Sequence, residues 1–226
     1  MNRITLIAAA ALLVAPLALA APAAAETKKP ADLRLEVNGG ANWGDPHLSL
    51  NGVEDDLNVG TGYSVGAQAW LDRVGFDYLS LGAQYLYLRQ GNFSESGPIS
   101  APGITGSGSV EVRPSLHTFF INAALRYPEG SINPYVGGGI GVAISRASVD
   151  ASGTVTVNGQ TVSGSGSDSD SSANFAGQVF GGVDVAVTDN VYLGVSGRYI
   201  LTDSNLFGID VQSRIFSAMA TLGYRF

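Results

Sequence analysis

Val191-Tyr-Leu-Gly-Val-Ser-Gly-Arg-Tyr-Ile-Leu201 is the stretch that decides the fold. Val191, Leu193, Val195, Tyr199 and Leu201 fall on one side of it, and Tyr192, Gly194, Ser196 and Arg198 on the other. A period of two residues belongs to a β-strand, in which successive side chains point to opposite faces. In a soluble sandwich the apolar face turns inward onto a dry core. Here the opposite face carries glycine, serine and a charge, which suits a strand with lipid outside and a polar interior.

Working outward, seven further segments repeat the pattern, giving eight at about 34–43, 60–72, 77–89, 113–127, 134–146, 174–186, 190–202 and 210–226. In the first, Leu35, Val37, Ala41 and Trp43 oppose Arg34, Glu36, Asn38 and Asn42. In the last, Phe216, Ala218, Ala220, Leu222, Tyr224 and Phe226 oppose Ser217, Thr221, Gly223 and Arg225. The connections alternate in length. Those at 44–59, 90–112, 147–173 and 203–209 are long and rich in Gly, Ser, Asp and Asn, whereas 73–76, 128–133 and 187–189 are tight turns. Long loops on one side and short turns on the other predict an all-β, antiparallel, up-and-down transmembrane barrel of eight strands over residues 34–226. Closure leaves no unpaired backbone edge in lipid, and the even strand number puts both termini on the short-turn, periplasmic side.

Composition agrees. Only 14% of the 226 residues are charged and 30 are glycine, which is unlike an ordinary cytosolic enzyme. The net charge of −7 supplies no footprint for nucleic acid. With no cysteine, disulfides, thiolate metal sites and cysteine nucleophiles are excluded. The N-terminus reads as a secretory signal peptide over 1–25: a basic start at Arg3, an apolar run from Ile4 to Ala20, and Ala23-Ala24-Ala25 before Glu26 as the cleavage site, with Ala18-Leu-Ala20 as an earlier one. Residues 26–33 then form a short periplasmic lead-in. Past residue 25 no apolar run approaches the roughly 18–20 residues of a helical span.

Three motifs carry a family resemblance: Asn133-Pro-Tyr-Val-Gly-Gly-Gly-Ile-Gly141 entering the fifth strand, Gly197-Arg198-Tyr199 in the penultimate one, and the ending Leu222-Gly-Tyr-Arg-Phe226. Together they resemble the small outer-membrane β-barrels, the group that includes the transmembrane domain of outer membrane protein A and the opacity and porin-like surface proteins. The resemblance implies a Gram-negative outer-membrane location. It also implies that Tyr224 and Phe226 are what the barrel-insertion machinery reads, and that periplasmic chaperones and outer-membrane lipids are partners.

Four charges fall on the predicted interior face within the strands: Glu36, Arg126, Asp184 and Arg198. Buried charge must be paired, so these predict a salt-bridge network plugging the lumen, with an ion gate as the competing reading. Near the outer rim, Glu111, Arg113, Ser115 and His117 share a strand face and invite a lipid-hydrolase reading. Against it, Ser115 and His117 stand two residues apart, about 6.5–7 Å along a strand, too far for a direct hydrogen bond. The glycines from 137 to 141 lack the remainder of a phosphate loop. Asp168 and Asp170 within Ser163–Ser172 lack calcium-loop spacing, and that stretch reads as a solvated mobile loop. His47 beside Asp45 has no second histidine near it, so neither a metal nor a cofactor is expected. The functional expectation is a non-enzymatic surface protein with a structural, adhesion or recognition role through its extracellular loops, Ile99 and Ile104 supplying apolar spots for a ligand or host surface. The alternative is a small porin-like diffusion channel, motivated by the Gly, Ser and Ala facing inward on the fifth to seventh strands.

Overall fold

The computed structural model describes residues 32–50, 53–56, 60–101, 104–128, 130–157, 160–206 and 209–226. The expected signal peptide, residues 26–31, and the side chains of His47, Ile99 and Ile104 lie outside the described set. The chain forms β1 (Asp32–Leu50), β2 (Val53–Asp56), β3 (Gly62–Asp72), β4 (Leu79–Arg89), β5 (Phe93–Ala101), β6 (Ile104–Arg126), β7 (Ile132–Val157), β8 (Gln160–Ala186), β9 (Val191–Leu206) and β10 (Ile209–Arg225). Eight of these pair antiparallel in the order β1-β3-β4-β6-β7-β8-β9-β10, and β10 returns to β1 from Arg34↔Arg225 to Ser49↔Asp210. The ring is closed.

Alternation along each strand sorts the side chains as expected. Val37, Val65, Leu81, Ile121, Ile140, Val179 and Val195 point outward and are exposed, Ile121 by 66% and Val195 by 65%. An apolar belt this large has no place in water, and the ladder leaves it facing lipid. Aromatic residues gather at both margins of the belt. Trp43 stacks on Phe216 with centroids 5.8 Å apart, and Tyr85 on Phe119 at 5.1 Å, toward the end with long hairpins. Tyr78 meets Tyr127 at 6.3 Å and Tyr224 meets Phe226 at 4.8 Å at the end with short turns.

The short turns are locally encoded. Gly75 and Gly130 have φ of 83° and 86°, the left-handed region that glycine enters without a Cβ penalty. In the turn after β8, Thr188 accepts the Val191 N–H at 2.9 Å. The start of β1 and the end of β10 both lie here, since Phe226 N–H donates to the Leu33 carbonyl at 3.0 Å and Arg225 N–H to that of Asn190 at 2.7 Å.

At the opposite end the expected loops are largely strands. Residues 93–101 pair with 104–112 as β5 and β6, and β7 and β8 stay in register from Ile132↔Val185 to Val157↔Gln160. β6 also pairs β7 as far as Ile104↔Val157, so β5, β6, β7 and β8 make a four-stranded sheet that projects past the barrel wall. The Ser163–Ser172 stretch, expected as a mobile loop, is part of β8. Its serines recur at every second position from 163 to 171, an alternation written in hydroxyls and not in hydrophobicity. Cross-strand hydroxyl pairs support it: Ser109 with Ser152 at 2.8 Å and Thr156 with Thr161 at 2.9 Å.

Candidate functional site

The lumen is stacked in three layers. The first, at the short-turn end, is ionic. Arg34, buried on β1, lies 2.6 Å from Asp72, 3.3 Å from Asp184 and 3.4 Å from Glu36, and Arg126 pairs with Asp184 from the other side. Two of the three acids have further partners, while Asp184 is held by the two arginines through one oxygen and its other, Oδ1, is buried without a hydrogen bond among the described residues. Glu36 accepts from the Trp70 indole at 3.2 Å, from the Tyr192 hydroxyl at 2.6 Å and from Gln68; Asp72 accepts from the Ser80 hydroxyl at 2.6 Å. The two guanidinium groups also lie over aromatic rings, Arg126 at 4.1 Å from Tyr135 and Arg34 at 5.2 Å from Tyr192. Carboxylates taken from water need this coordination, because burial without it costs several kcal/mol per ion.

The second layer is made of amides. Gln84 donates to Gln68 at 2.8 Å, and Gln178 donates to Gln84 at 2.9 Å and to Asn122 at 2.7 Å. Arg198 belongs to this layer. It donates to Gln178 at 3.0 Å and to Gln84, lies 5.6 Å from the Phe180 ring, and forms no ion pair among the described residues. The expected set of Glu36, Arg126, Asp184 and Arg198 is therefore split. Glu36, Asp184 and Arg126 meet through Arg34, and Arg198 stands apart. The reason is depth: Asp184 pairs across to Gly194, and Arg198 lies four residues further along β9, about 13 Å.

The third layer is apolar, where the alternation had promised a small or polar interior. Leu86, Leu88, Leu116, Phe120, Ile200, Ile215 and Met219 pack together with Ala143 and Ala176 inside the hairpin-side half of the barrel. Leu86, Leu88 and Ile200 are completely buried. The inward glycines leave little space either, because several of them seat a neighbour's side chain. A Cβ on Gly82 would meet Trp70 at 2.5 Å, one on Gly137 would meet Phe180 at 2.7 Å, one on Gly182 the Tyr135 hydroxyl at 2.7 Å, and one on Gly223 the Tyr192 ring. Small residues on one strand thus admit large ones from the next, as in other narrow barrels whose interior side chains fill the bore.

A family profile agrees with the closed eight-strand ring: residues 8–226 fit the outer membrane protein beta-barrel domain. The chain belongs to that family. This outer-membrane barrel is similar to three solved structures in particular. Ail, the attachment invasion locus protein of Yersinia pestis, crystallised with the heparin analogue sucrose octasulfate, is 14% identical, with 88% of this chain and 100% of that one covered at a TM-score of 0.40. Neisserial surface protein A is 17% identical, with 84% and 95% covered at 0.44. OprG of Pseudomonas aeruginosa is 14% identical, with 89% and 99% covered at 0.44. No curated protein matches.

On the outer surface, the rim constellation does not assemble as a nucleophile. The His117 Nδ1 bonds to the Tyr85 hydroxyl at 2.9 Å, its ring lies 4.9 Å from that of Tyr87, and no hydrogen bond joins it to Ser115. Glu111 takes two hydrogen bonds from Arg113, at 2.9 and 3.0 Å, and one from Asn92 at 2.9 Å; Asp150 approaches Arg113 at 3.1 Å. The Arg113 guanidinium holds the Glu111 carboxyl below the usual carboxylate range, and Glu111 in turn raises Arg113. Asp168 and Asp170 each accept the backbone N–H of the next residue, at 2.8 and 2.7 Å. Tyr224 and Phe226 face outward at the short-turn margin.

Two members of the ionic layer, Arg34 and Asp72, are absent from the four expected charges. Both sit near the short-turn ends of their strands, where a charge ordinarily reads as solvated. The parity of Arg34 with Glu36 was the available signal.

Proposed function

We propose that this protein is a closed, non-conducting outer-membrane scaffold that recognises an extracellular ligand through the β5–β6–β7–β8 sheet. The observation that carries the reading is the continuity of the β6, β7 and β8 ladders past the barrel wall, which gives a paired surface where a mobile loop would lose affinity to ordering. One face of the sheet is a lattice of hydroxyls. Ser96, Ser109, Ser152 and Ser165 form one cross-strand row, and Ser107, Thr154 and Ser163 the next, around a shallow concavity of about 410 Å³. The rows repeat about every 6.8 Å along the strands, with columns about 4.8 Å apart. A neutral, regularly spaced donor and acceptor surface suits a neutral polyhydroxylated partner such as a glycan chain.

On this reading the short-turn end and both chain ends face the periplasm. Tyr224 and Phe226 serve as the insertion signal for the barrel-assembly machinery. The lumen works as a plug and not a gate, supported by its apolar layer, and Ser115 takes no part in catalysis, supported by the commitment of His117 to Tyr85.

The test removes residues 149–168 and joins the ends with Asn-Gly, which trims β7 and β8 above the barrel wall. Refolding is verified by heat-modifiable migration, and wild type and trimmed protein are compared on a glycan array and in planar bilayers. Binding by wild type only, with no current from either, is the expected result. Equal binding by both proteins, or reproducible conductance steps from wild type, would overturn the reading.

A further inference from the structure

The described arginines fall into three groups. Arg34, Arg126 and Arg198 are inside the lumen, and Arg73 and Arg225 lie at the short-turn end. The remaining four, Arg89, Arg113, Arg146 and Arg214, take outward strand positions near the hairpin end. Glu111 and Asp150 neutralise Arg113. Arg89 is close enough to Glu111 to help hold its carboxyl low, but neither Arg89 nor Arg146 makes an ion pair among the described residues, in a chain whose net charge is −7.

Register brings these two together. Arg89 on β4 pairs with Ser115 on β6, and Ser115 pairs with Arg146 on β7, so the three occupy one row across neighbouring strands. Parity turns the row outward: Arg89 matches exposed Leu81 and Tyr85, Ser115 matches exposed Phe119 and Ile121, and Arg146 matches exposed Ile140 and Val142. Strand spacing puts the two arginine backbones about 10 Å apart with the Ser115 hydroxyl midway. Long side chains from both flanks can converge on an acceptor held there.

The depth of the row identifies what that acceptor is. One step toward the membrane centre lie Tyr87 and His117, and one step further Tyr85 and Phe119, the aromatic margin that marks the lipid–water interface. One step the other way lie Arg113 and Ser148, followed by Glu111 and Asp150. The row therefore stands at headgroup level. A guanidinium presents a fork of donors that fits a phosphate bidentately, and at this depth lipid phosphates stand beside one that makes no ion pair.

We propose that Arg89, Ser115 and Arg146 form a cradle for the phosphate of an outer-leaflet lipid headgroup. Arg89 and Arg146 clamp the phosphate oxygens from either side and Ser115 donates its hydroxyl, while the acyl chains lie down the apolar belt below. The leaflet rests on the orientation proposed above; the phosphate chemistry does not.

The experiment is native mass spectrometry of the refolded, detergent-solubilised full barrel, with lipid A carrying two phosphates as probe and its fully dephosphorylated form beside it. Variants are Arg89→Gln/Arg146→Gln, Ser115→Ala, and Arg214→Gln as an outward arginine off the row. All lie on the outer surface, and heat-modifiable migration verifies each fold. The expected result is retention of the phosphorylated lipid by wild type and Arg214→Gln, a loss of about tenfold or more in affinity for the double variant, and a smaller loss for Ser115→Ala. The dephosphorylated lipid binds wild type no better than it binds the double variant. Equal retention by wild type and the double variant, an equal loss in Arg214→Gln, or displacement of the lipid by millimolar inorganic phosphate would each overturn the proposal. Glycan binding by the upper sheet is unaffected in these variants, so failure here and failure of the recognition reading are separable.

Discussion

Replacing Arg126 with Met removes one of the two cations in a layer that holds three carboxylates. Arg34 is then left to answer Glu36, Asp72 and Asp184 alone, at 3.4, 2.6 and 3.3 Å, and it already touches all three. Arg126 and Asp184 are 5% and 4% exposed, so water does not replace the lost partner. Breaking a buried pair in this way costs about 3–5 kcal/mol. Asp184→Asn, by contrast, leaves two cations facing two anions and keeps an oxygen that can still accept, so its cost is about 1–3 kcal/mol. The double variant retains the Arg34, Glu36 and Asp72 cluster and removes the carboxylate that Arg126 answered, which returns the layer to its wild-type net charge. Its destabilisation is therefore smaller than the sum of the singles, by about 1–3 kcal/mol of coupling. The assay is reversible urea unfolding in lipid vesicles, followed by the emission of Trp70, whose ring lies 5.9 Å from the Arg126 guanidinium. A coupling within about 0.5 kcal/mol of zero would refute the reasoning, because Arg126 would then be answering something other than Asp184.

Three further outcomes are expected. Gly82→Val drives a side chain into the Trp70 ring and the Ala69 carbonyl, costing about 1–3 kcal/mol of overpacking; it breaks the indole bond to Glu36, visible as altered Trp70 emission in a Trp43→Phe background. The Glu111 carboxyl, lowered by Arg113, contributes its hairpin contact fully above the ordinary carboxylate range and loses it as pH falls through the depressed value. Carboxyl NMR titration should show Arg113→Gln returning Glu111 toward its ordinary value, and an unchanged titration would contradict the assignment. Phe226→Ala should slow assembly into membranes that contain the insertion machinery while leaving spontaneous refolding in detergent unaltered; equal slowing in both would make the Tyr224–Phe226 contact purely structural.

The barrel was legible because lipid enforces alternation over every strand, so Leu193, Val195 and Tyr199 declare one face without knowledge of their neighbours. Parity assigns a face but not a height. Asp184 and Arg198 share the inner face, yet the register between β8 and β9 places them in different layers, and register is a property of two strands together. The apolar layer was hidden for a related reason. Leu86, Leu88 and Phe120 adjoin outward apolar residues, which blurs the local contrast, and only the ring reveals that they converge. The hairpin sheet escaped because serine and glycine are turn formers by composition; the recurrence of serine at every second position from 163 to 171 was the available signal.

The seam between β1 and β10 has a consequence for how the molecule comes into being. All other ring contacts join strands that are close in sequence, such as β7 with β8, whereas Arg34 must find Arg225 across almost the whole barrel chain. Loop-closure entropy makes that encounter the last to be rewarded. Arg34 and Glu36 ride on the seam strand, and their partners Asp72, Tyr192 and Asp184 sit on β3, β9 and β8. Until the seam zips, these groups remain hydrated; as it zips, they dehydrate together. Sealing the wall and stoppering the bore are thus a single assembly event, so a half-built barrel never presents the membrane with an open, finished hole.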